Sequence, residues 1–307
     1  MDTIRINAPA KINLSLKVGP RRADGYHEIE TLIQAISLCD RLEISASGAD
    51  EDILEISGPA ANELGQSPLE DNLVLRAVGV IRKFKSDIPK VRISLEKIIP
   101  AGAGLGGGSS DAAATLIGIN RLFGIDLKKS ELDSMGARLG SDVPFFFSAG
   151  SAQASGRGEI IENINLPTDY QILVVRPLGS VSTAQAYGSL KRRHKKALTV
   201  QPSQAKFRGF ASLESMLEGL KMVGNDFEEL FEPPQERPND WLELGSEIRS
   251  IKRNLKELGS EIERLSGSGS AVYGIFPLSG SLEGTGKLRE RGWQVFEAKP
   301  VSLPYLE

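Results

Sequence analysis

The eleven residues Pro100, Ala101, Gly102, Ala103, Gly104, Leu105, Gly106, Gly107, Gly108, Ser109 and Ser110 constrain this chain more than any other segment. They follow an alternating, strand-like run from Val91 to Leu95. They precede an alanine-rich stretch that reads as a helix from about Ser109 to Leu122, with Gly124 as its stop. Five glycines let the backbone turn sharply and approach a ligand closely. The helix that follows turns its unpaired N–H groups and positive dipole end toward the loop. Ser109 and Ser110 add hydroxyl donors. Such a loop is an anion site suited to a polyphosphate, and a plain flexible turn has no need of so many glycines beside paired serines.

Two nucleotide patterns compete for this loop. The P-loop pattern needs a lysine before the serine or threonine at the helix start, and here Gly108 stands before Ser109 and Ser110, which excludes it. The dinucleotide pattern G-x-G-x-x-G fits Gly102, Gly104 and Gly107, and Asp126 follows at about the distance of a ribose-binding acid. The segment before the loop does not open a βαβ series, and Asp126 belongs to a turn after Gly124. An NAD-binding oxidoreductase is nevertheless the rival class.

The rest of the chain reads as mixed α and β. Residues 4–18 alternate, with Ile12, Leu14, Leu16 and Val18 on one face and Lys11, Asn13, Ser15 and Lys17 on the other. Asp24 and Gly25 mark a turn, and Ile29 to Leu38 is a returning strand. Asn72 caps a helix to about Phe84, with Leu73, Ala77, Val80 and Ile81 facing inward. A helix begins near Ser130, with Asp133 placed for a capping box, and ends at Gly140. Strands are expected at 151–161 and 170–176. Ile248, Ile251, Leu255, Leu258, Ile262 and Leu265 repeat at helical spacing. They lead into the turn Ser266 to Ser270 and a strand from Ala271 to Phe276. Strands and helices lack the regular rhythm of a parallel sheet, so the fold class is α+β. Two domains are expected, 1–160 and 161–307.

Composition limits the function. With 37 basic and 40 acidic residues in 307, the net charge of −3 argues against bulk binding of nucleic acid. The basic run from Lys191 to Lys196 reads as a solvated surface. No apolar stretch is long enough to span a bilayer, and residues 1–17 lack the pattern of a signal peptide. A cytoplasmic protein without membrane association is expected. Cys39 is the single cysteine, so no internal disulfide forms, and its bland reading is a small buried hydrophobe. Cys39 with two distant histidines, His27 and His194, makes no usual zinc cluster. Magnesium bound to phosphate needs few protein ligands and stays open.

The glycine loop and the alanines after it resemble the ATP loop of the GHMP kinases, a family that includes galactokinase and the homoserine, mevalonate and phosphomevalonate kinases. Three further segments, in the same order, narrow the likeness. Ala8 to Leu14 together with Gly25, Tyr26, His27 and Glu28 looks like the start of the branch that acts on 4-diphosphocytidyl-2-C-methyl-D-erythritol. Gly140 to Phe146 resembles that branch's acidic motif, and Leu265 to Ala271 the third motif of the family. The resemblance covers most of the chain.

It implies a two-domain GHMP kinase fold: an N-terminal domain like domain 2 of ribosomal protein S5 and a ferredoxin-like α+β C-terminal domain, with ATP and substrate meeting between them. It also implies transfer of the γ-phosphoryl group of ATP, with Mg2+, to the 2-hydroxyl of the cytidyl substrate in the non-mevalonate route to isoprenoid precursors. Another small-molecule kinase of the family, of mevalonate or homoserine type, is the near alternative. On this resemblance Asp142 accepts the hydroxyl proton and Lys11 supports it. Residues 100–110 hold ATP. Asn13, Tyr26, His27, Thr183 and Tyr187 contact the cytidyl substrate. The working unit is expected to be a monomer or weak homodimer.

Overall fold

Two strands of 19 and 20 residues, β1 (Thr3–Arg21) and β2 (His27–Ala46), form an antiparallel ribbon on which the rest is built. The structure is a computed structural model that describes residues 2–64, 68–193, 209–232, 239–280 and 282–303. Bulges fall between Pro9 and Ala10, Asn13 and Ser15, and Val18 and Arg21. They re-aim side chains along a ribbon that would otherwise stay in strict alternation.

β2 carries strands along its free edge. β4 (Val91–Glu96) pairs with residues 41–46 and β5 (Ser151–Ser155) with residues 31–34. β3 (Ile53–Ser57) lies parallel to β4, and α1 (Leu73–Phe84) connects them. Strand and loop are legible in residues 50–70, but the parallel pairing of β3 with β4 has no local signal in the sequence. β6 (Ile160–Asn163) completes a sheet of six strands among the described residues. The strand expected at 151–161 is thus two strands, folded back where Gly156 and Gly158 take positive φ around Arg157.

Asn72 caps α1 as expected, its Oδ1 accepting the Val74 N–H at 2.9 Å. The buried face, however, is Val74, Ala77, Val78 and Ile81, while Leu73 lies partly open. α2 (Gly107–Leu122) begins two residues earlier than its alanines suggest, and every residue from Ser110 to Ile119 is buried. Its small side chains let it lie close on the ribbon, packed between β1 and α1. α3 (Lys129–Leu139) begins one residue before Ser130. Glu131 accepts the Lys128 N–H at 2.8 Å, while Asp133 pairs with Lys129, so the expected Ser130–Asp133 box does not form.

The second sheet has the order β10-β7-β9-β8, all antiparallel: β7 (Tyr170–Arg176), β8 (Ile262–Leu265), β9 (Val272–Pro277) and β10 (Gln294–Ala298). α4 (Thr183–Arg193), α5 (Leu213–Lys221) and α6 (Asn239–Glu257) lie between β7 and β8, and α7 (Gly286–Glu290) between β9 and β10. This is the ferredoxin-like split arrangement. The long helical repeat is cut short: α6 ends at Glu257, Gly259 turns the chain at φ 92°, and Ile262 and Leu265 belong to β8. Their spacing continued a helical period by coincidence, and Gly259 was the stop signal. The basic run beyond Arg193, His194 to Lys196, lies outside the described residues.

Both sheets are buried on two faces. Ile33, Ala35, Leu42 and Ile44 of β2 pack with α1, α2 and α3. Ala10, Ile12, Leu14, Leu32 and Ile36 pack instead on Tyr170, Ile172, Val174 and Tyr273 of the second sheet. Leu173, Val175 and Val272 face a third core with α4 and α6. Four layers result, and the side of β1 that looked solvated holds buried Lys11 and Asn13.

After β10 the chain returns to the first sheet, where the Ser37 N–H donates to the Lys299 carbonyl and the Val301 N–H to the Ala35 carbonyl. Gly150 sits against this return at φ 106°, and a Cβ there would lie 2.5 Å from the Val301 carbonyl oxygen. Gly150→Ala therefore lowers stability by about 2–4 kcal/mol, from backbone strain plus collision. Urea unfolding of the variant and parent measures this.

Candidate active site

A cavity of about 810 Å3 lies beside the β1–β2 ribbon, lined also by the glycine loop, α4 and the turn at Gly267 and Ser268. The glycine loop, from Pro100 through Ser109, walls one end together with Leu64 and Leu73. Tyr26, His27, Thr183 and Tyr187 line the other end, and Lys11, Asn13 and Asp142 stand between. Ser110, the last residue of the expected loop, is 1% exposed and lies behind the wall, its hydroxyl without a protein partner.

The loop is shaped by contacts that only glycine permits. Gly102, Gly104 and Gly106 all have positive φ, and a Cβ on Gly104 would collide with the Ser266 carbonyl. The Ser266 hydroxyl donates to the Gly104 carbonyl at 2.9 Å, and the Ala271 N–H to the Ala103 carbonyl at 3.1 Å. The turn 266–270 thus braces the glycine loop. Asn225 braces that turn in its place, donating to the Leu265 and Gly267 carbonyls at 2.8 Å each.

Lys11 is 3% exposed, far from a surface lysine. The Leu105 carbonyl accepts its backbone N–H at 2.9 Å. Its ammonium donates to Asn13 Oδ1 at 2.6 Å and lies 3.4 Å from Asp142 Oδ2. Asn13 in turn donates to Thr31 Oγ1 at 2.8 Å, and Thr31 to the Ser15 carbonyl at 2.6 Å. A buried polar chain therefore fixes the lysine tip beside a carboxylate that is 37% exposed toward the cavity. Asp142 is supplied by the turn after α3, closed by four buried residues, Pro144 to Phe147.

At the opposite end, His27 Nδ1 lies 3.0 Å from the Gly19 carbonyl, so that nitrogen donates. The other nitrogen, Nε2, is buried without a protein partner. The Tyr187 ring stacks on His27 at 5.4 Å and meets Phe227 edge-on at 4.8 Å. Burial, with Asp142 adding, pushes its phenol well above the ordinary value. A planar ligand does not fit between rings at that spacing, and so meets their outer side. Thr183 Oγ1 shares a hydrogen bond of 3.1 Å with Ser268 Oγ. Tyr26 is 53% exposed, with the Arg157 guanidinium 4.8 Å above its ring.

Beneath the loop lies a cluster that sequence reasoning missed. The Lys97 ammonium donates to Asp40 and, at 2.9 Å, to Asp111 Oδ2. All three are buried. The Ile98 and Ile99 N–H groups donate to the other Asp40 oxygen, whereas Asp111 Oδ1 has no protein partner. Burial first, then the Asp40 charge, pushes the Asp111 carboxyl up to about 7 despite Lys97. Burial alone would lower Lys97, but the two carboxylates outweigh it and hold its pKa above the usual lysine value. Asp111 directly follows Ser110 in sequence, which was a signal. Its partners Lys97 and Asp40 were not, because only the fold joins them.

Among the described residues no group of three or more His, Cys, Asp or Glu could hold a metal ion, and no helix is long and apolar enough to cross a membrane. Asp126, the rival ribose-binding acid, sits at φ 62° in the turn after α2, and among the described residues no strand that follows it pairs with β4.

The model of the GHMP kinases N terminal domain matches residues 72–150. A 4-diphosphocytidyl-2-C-methyl-D-erythritol kinase of Solibacter usitatus is 40% identical over 272 residues, covering 88% of this chain and 80% of that one. Its counterpart in Heliobacterium modesticaldum is 34% identical over 302 residues, covering 94% and 91%. A crystal structure of 4-(cytidine 5'-diphospho)-2C-methyl-D-erythritol kinase superposes with a TM-score of 0.72 at 30% identity, covering 97% of this chain and 99% of that one.

The Asp111 carboxyl predicts a pH dependence. The folded group keeps its proton to about pH 7, while an unfolded aspartate releases it near its ordinary value of 3.8. Folded protein therefore loses stability as pH rises between those values. Asp111→Asn removes that loss. Relative to the parent, its unfolding free energy gains at least about 1 kcal/mol between about pH 5 and pH 8. Urea unfolding at both pH values reads this, and an equal difference at both would refute the proton's place on Asp111.

Proposed function

The chain belongs to the 4-diphosphocytidyl-2-C-methyl-D-erythritol kinases of the GHMP kinase family, and from that premise we propose how its cleft performs the reaction. The enzyme uses ATP to phosphorylate the 2-hydroxyl of 4-diphosphocytidyl-2-C-methyl-D-erythritol, giving the 2-phosphate and ADP on the route to isoprenoid precursors. One observation carries the assignment of roles. The Lys11 ammonium and the Asp142 carboxylate, 3.4 Å apart, face a single cavity between the glycine loop and His27.

Residues 100–110 hold the phosphates of ATP through backbone N–H groups and the start of α2. The cytidyl group lies at the other end, where His27 Nε2 accepts from the exocyclic amine of cytosine. Tyr26 and Tyr187 supply apolar surface, and Thr183 and Asn13 polar contacts. The 2-hydroxyl then lies beside Asp142, which accepts its proton as the oxygen attacks the γ-phosphorus. The bond from that phosphorus to the bridging oxygen of ADP breaks, without a covalent enzyme intermediate. Lys11, held by Asn13 and Thr31, stabilises negative charge on the attacking oxygen and the transferring group.

Magnesium enters with ATP in this reading. Asp142 is the one carboxylate among the described residues lining the cavity, and with phosphate oxygens it makes the hard-oxygen donor set that magnesium takes. The ion supplies neutralising charge to the polyphosphate. We read the chain as the two domains expected at 1–160 and 161–307, with the boundary moved past β6 to 164–169, because strands through Asn163 build one sheet and those from Tyr170 the other. The enzyme works in the cytoplasm as a monomer or weak homodimer, since a single chain supplies every group named here.

ADP release coupled to a reporter, with the cytidyl substrate against mevalonate and homoserine, tests the reading. Turnover is expected with the cytidyl substrate alone. Asp142→Asn lowers kcat about 100-fold or more, the scale of a lost general base. Lys11→Met lowers kcat to a similar degree and leaves ATP binding near that of the parent. Unchanged turnover in Asp142→Asn would remove its assigned role.

A further inference from the structure

Glu63 belongs to a short helical turn, Ala61–Leu64, and lies outside the cavity wall. Its Oε2 accepts the Ala101 N–H at 3.0 Å. Its Oε1 accepts from Arg176 Nη1 at 2.8 Å and from Gln294 Nε2 at 3.1 Å. Arg176 Nη2 reaches the Ala101 carbonyl at 3.4 Å. Residue 101 of the glycine loop is therefore gripped at its donor and its acceptor, and the two gripping side chains pair with each other. Arg176 and Gln294 stand opposite one another on β7 and β10, the edge of the second sheet. Leu64, the residue after Glu63, lines the cavity, as do Pro100 and Ala101.

We propose that Glu63 is a positioning residue for the nucleotide: with Arg176 it fixes the first turn of the glycine loop. The inference rests on the reading that this loop takes ATP. Pro100 has no N–H, and Gly102 sits at a positive φ, so residue 101 is the loop's first fixed point after β4. Deleting the carboxylate leaves the Ala101 N–H without its acceptor and leaves Arg176 with only Gln294 Oε1 at 3.0 Å and the Ala101 carbonyl. The loop then samples positions in which its N–H groups no longer converge on phosphate. The cytidyl end of the cavity shares no residue with this clamp.

The test is steady-state kinetics with both substrates varied, together with calorimetric binding of a non-hydrolysable ATP analogue, for Glu63→Gln, Glu63→Ala and the parent. KM for ATP and Kd for the analogue are expected to rise about tenfold in Glu63→Ala, equal to about 1.4 kcal/mol. The rise is smaller in Glu63→Gln, whose amide oxygen keeps one acceptor. KM for the cytidyl substrate and kcat stay within about twofold of the parent. Arg176→Met reproduces the pattern. Were charge the sole effect, losing a carboxylate would tighten ATP binding, so a fall or no change in KM for ATP overturns the proposal. Equal rises in both KM values, which a merely structural role would give, overturn it as well. Parent protein that binds the analogue without turning over the cytidyl substrate would sink the functional reading and leave the clamp measurable by calorimetry alone.

Discussion

The Lys97 ammonium between Asp40 and Asp111 is the interaction on which the nucleotide half of the molecule depends. Asp40 comes from β2, Lys97 from the end of β4, and Asp111 from α2, so one ammonium joins three elements. Removing Lys97 or Asp40 from this buried group leaves uncompensated charge and costs about 3–5 kcal/mol. The arrangement also sets where the glycine loop starts and stops. Asp40 takes the N–H groups of Ile98 and Ile99 just before the loop, and Asp111 lies one turn into the helix just after it. A Cβ on Gly107 would lie 3.0 Å from the Lys97 nitrogen, which is how close the backbone comes to that charge. The cluster thus holds both ends of the loop to a common point.

The catalytic side is organised by a different chain of bonds. Lys11, Asn13, Thr31 and Ser15 form a polar thread through the middle of the β1–β2 ribbon, at positions buried on every side. Satisfying each donor and acceptor makes such burial tolerable. In return, the ammonium beside Asp142 has little freedom. Positioning of this kind is the main catalytic resource of a direct phosphoryl transfer.

Local chemistry was legible in the sequence. The glycine loop, the Asn72 cap, the α+β class and the residues that meet in the cavity all carried signals within a few positions of themselves. Contacts between distant segments were not legible. The role of Lys11 came from the resemblance alone, because alternation in β1 shows polarity without showing what covers it. The Lys97 cluster needed β2, β4 and α2 to be brought together before three charged residues could be recognised as partners. Local period also misled once. Ile262 and Leu265 continued the rhythm of α6 past Gly259, and tertiary structure placed them in β8. The glycine was the more reliable signal, because it marks where the backbone must turn rather than which face is apolar.

The grip on the glycine loop comes largely from far along the chain. Arg176, Ser266 and Ala271 hold Ala101, Ala103 and Gly104, so the contacts that shape the phosphate cradle span from 75 to 168 positions. Contacts of that sequence separation form late, after the entropy of closing long loops has been met. During synthesis, therefore, the ribosome releases a complete glycine loop long before there is a competent nucleotide site. The nascent N-terminal half carries the loop in an unbraced state until β8 and β9 emerge. Binding of ATP is in this sense a report that the last third of the polypeptide has folded.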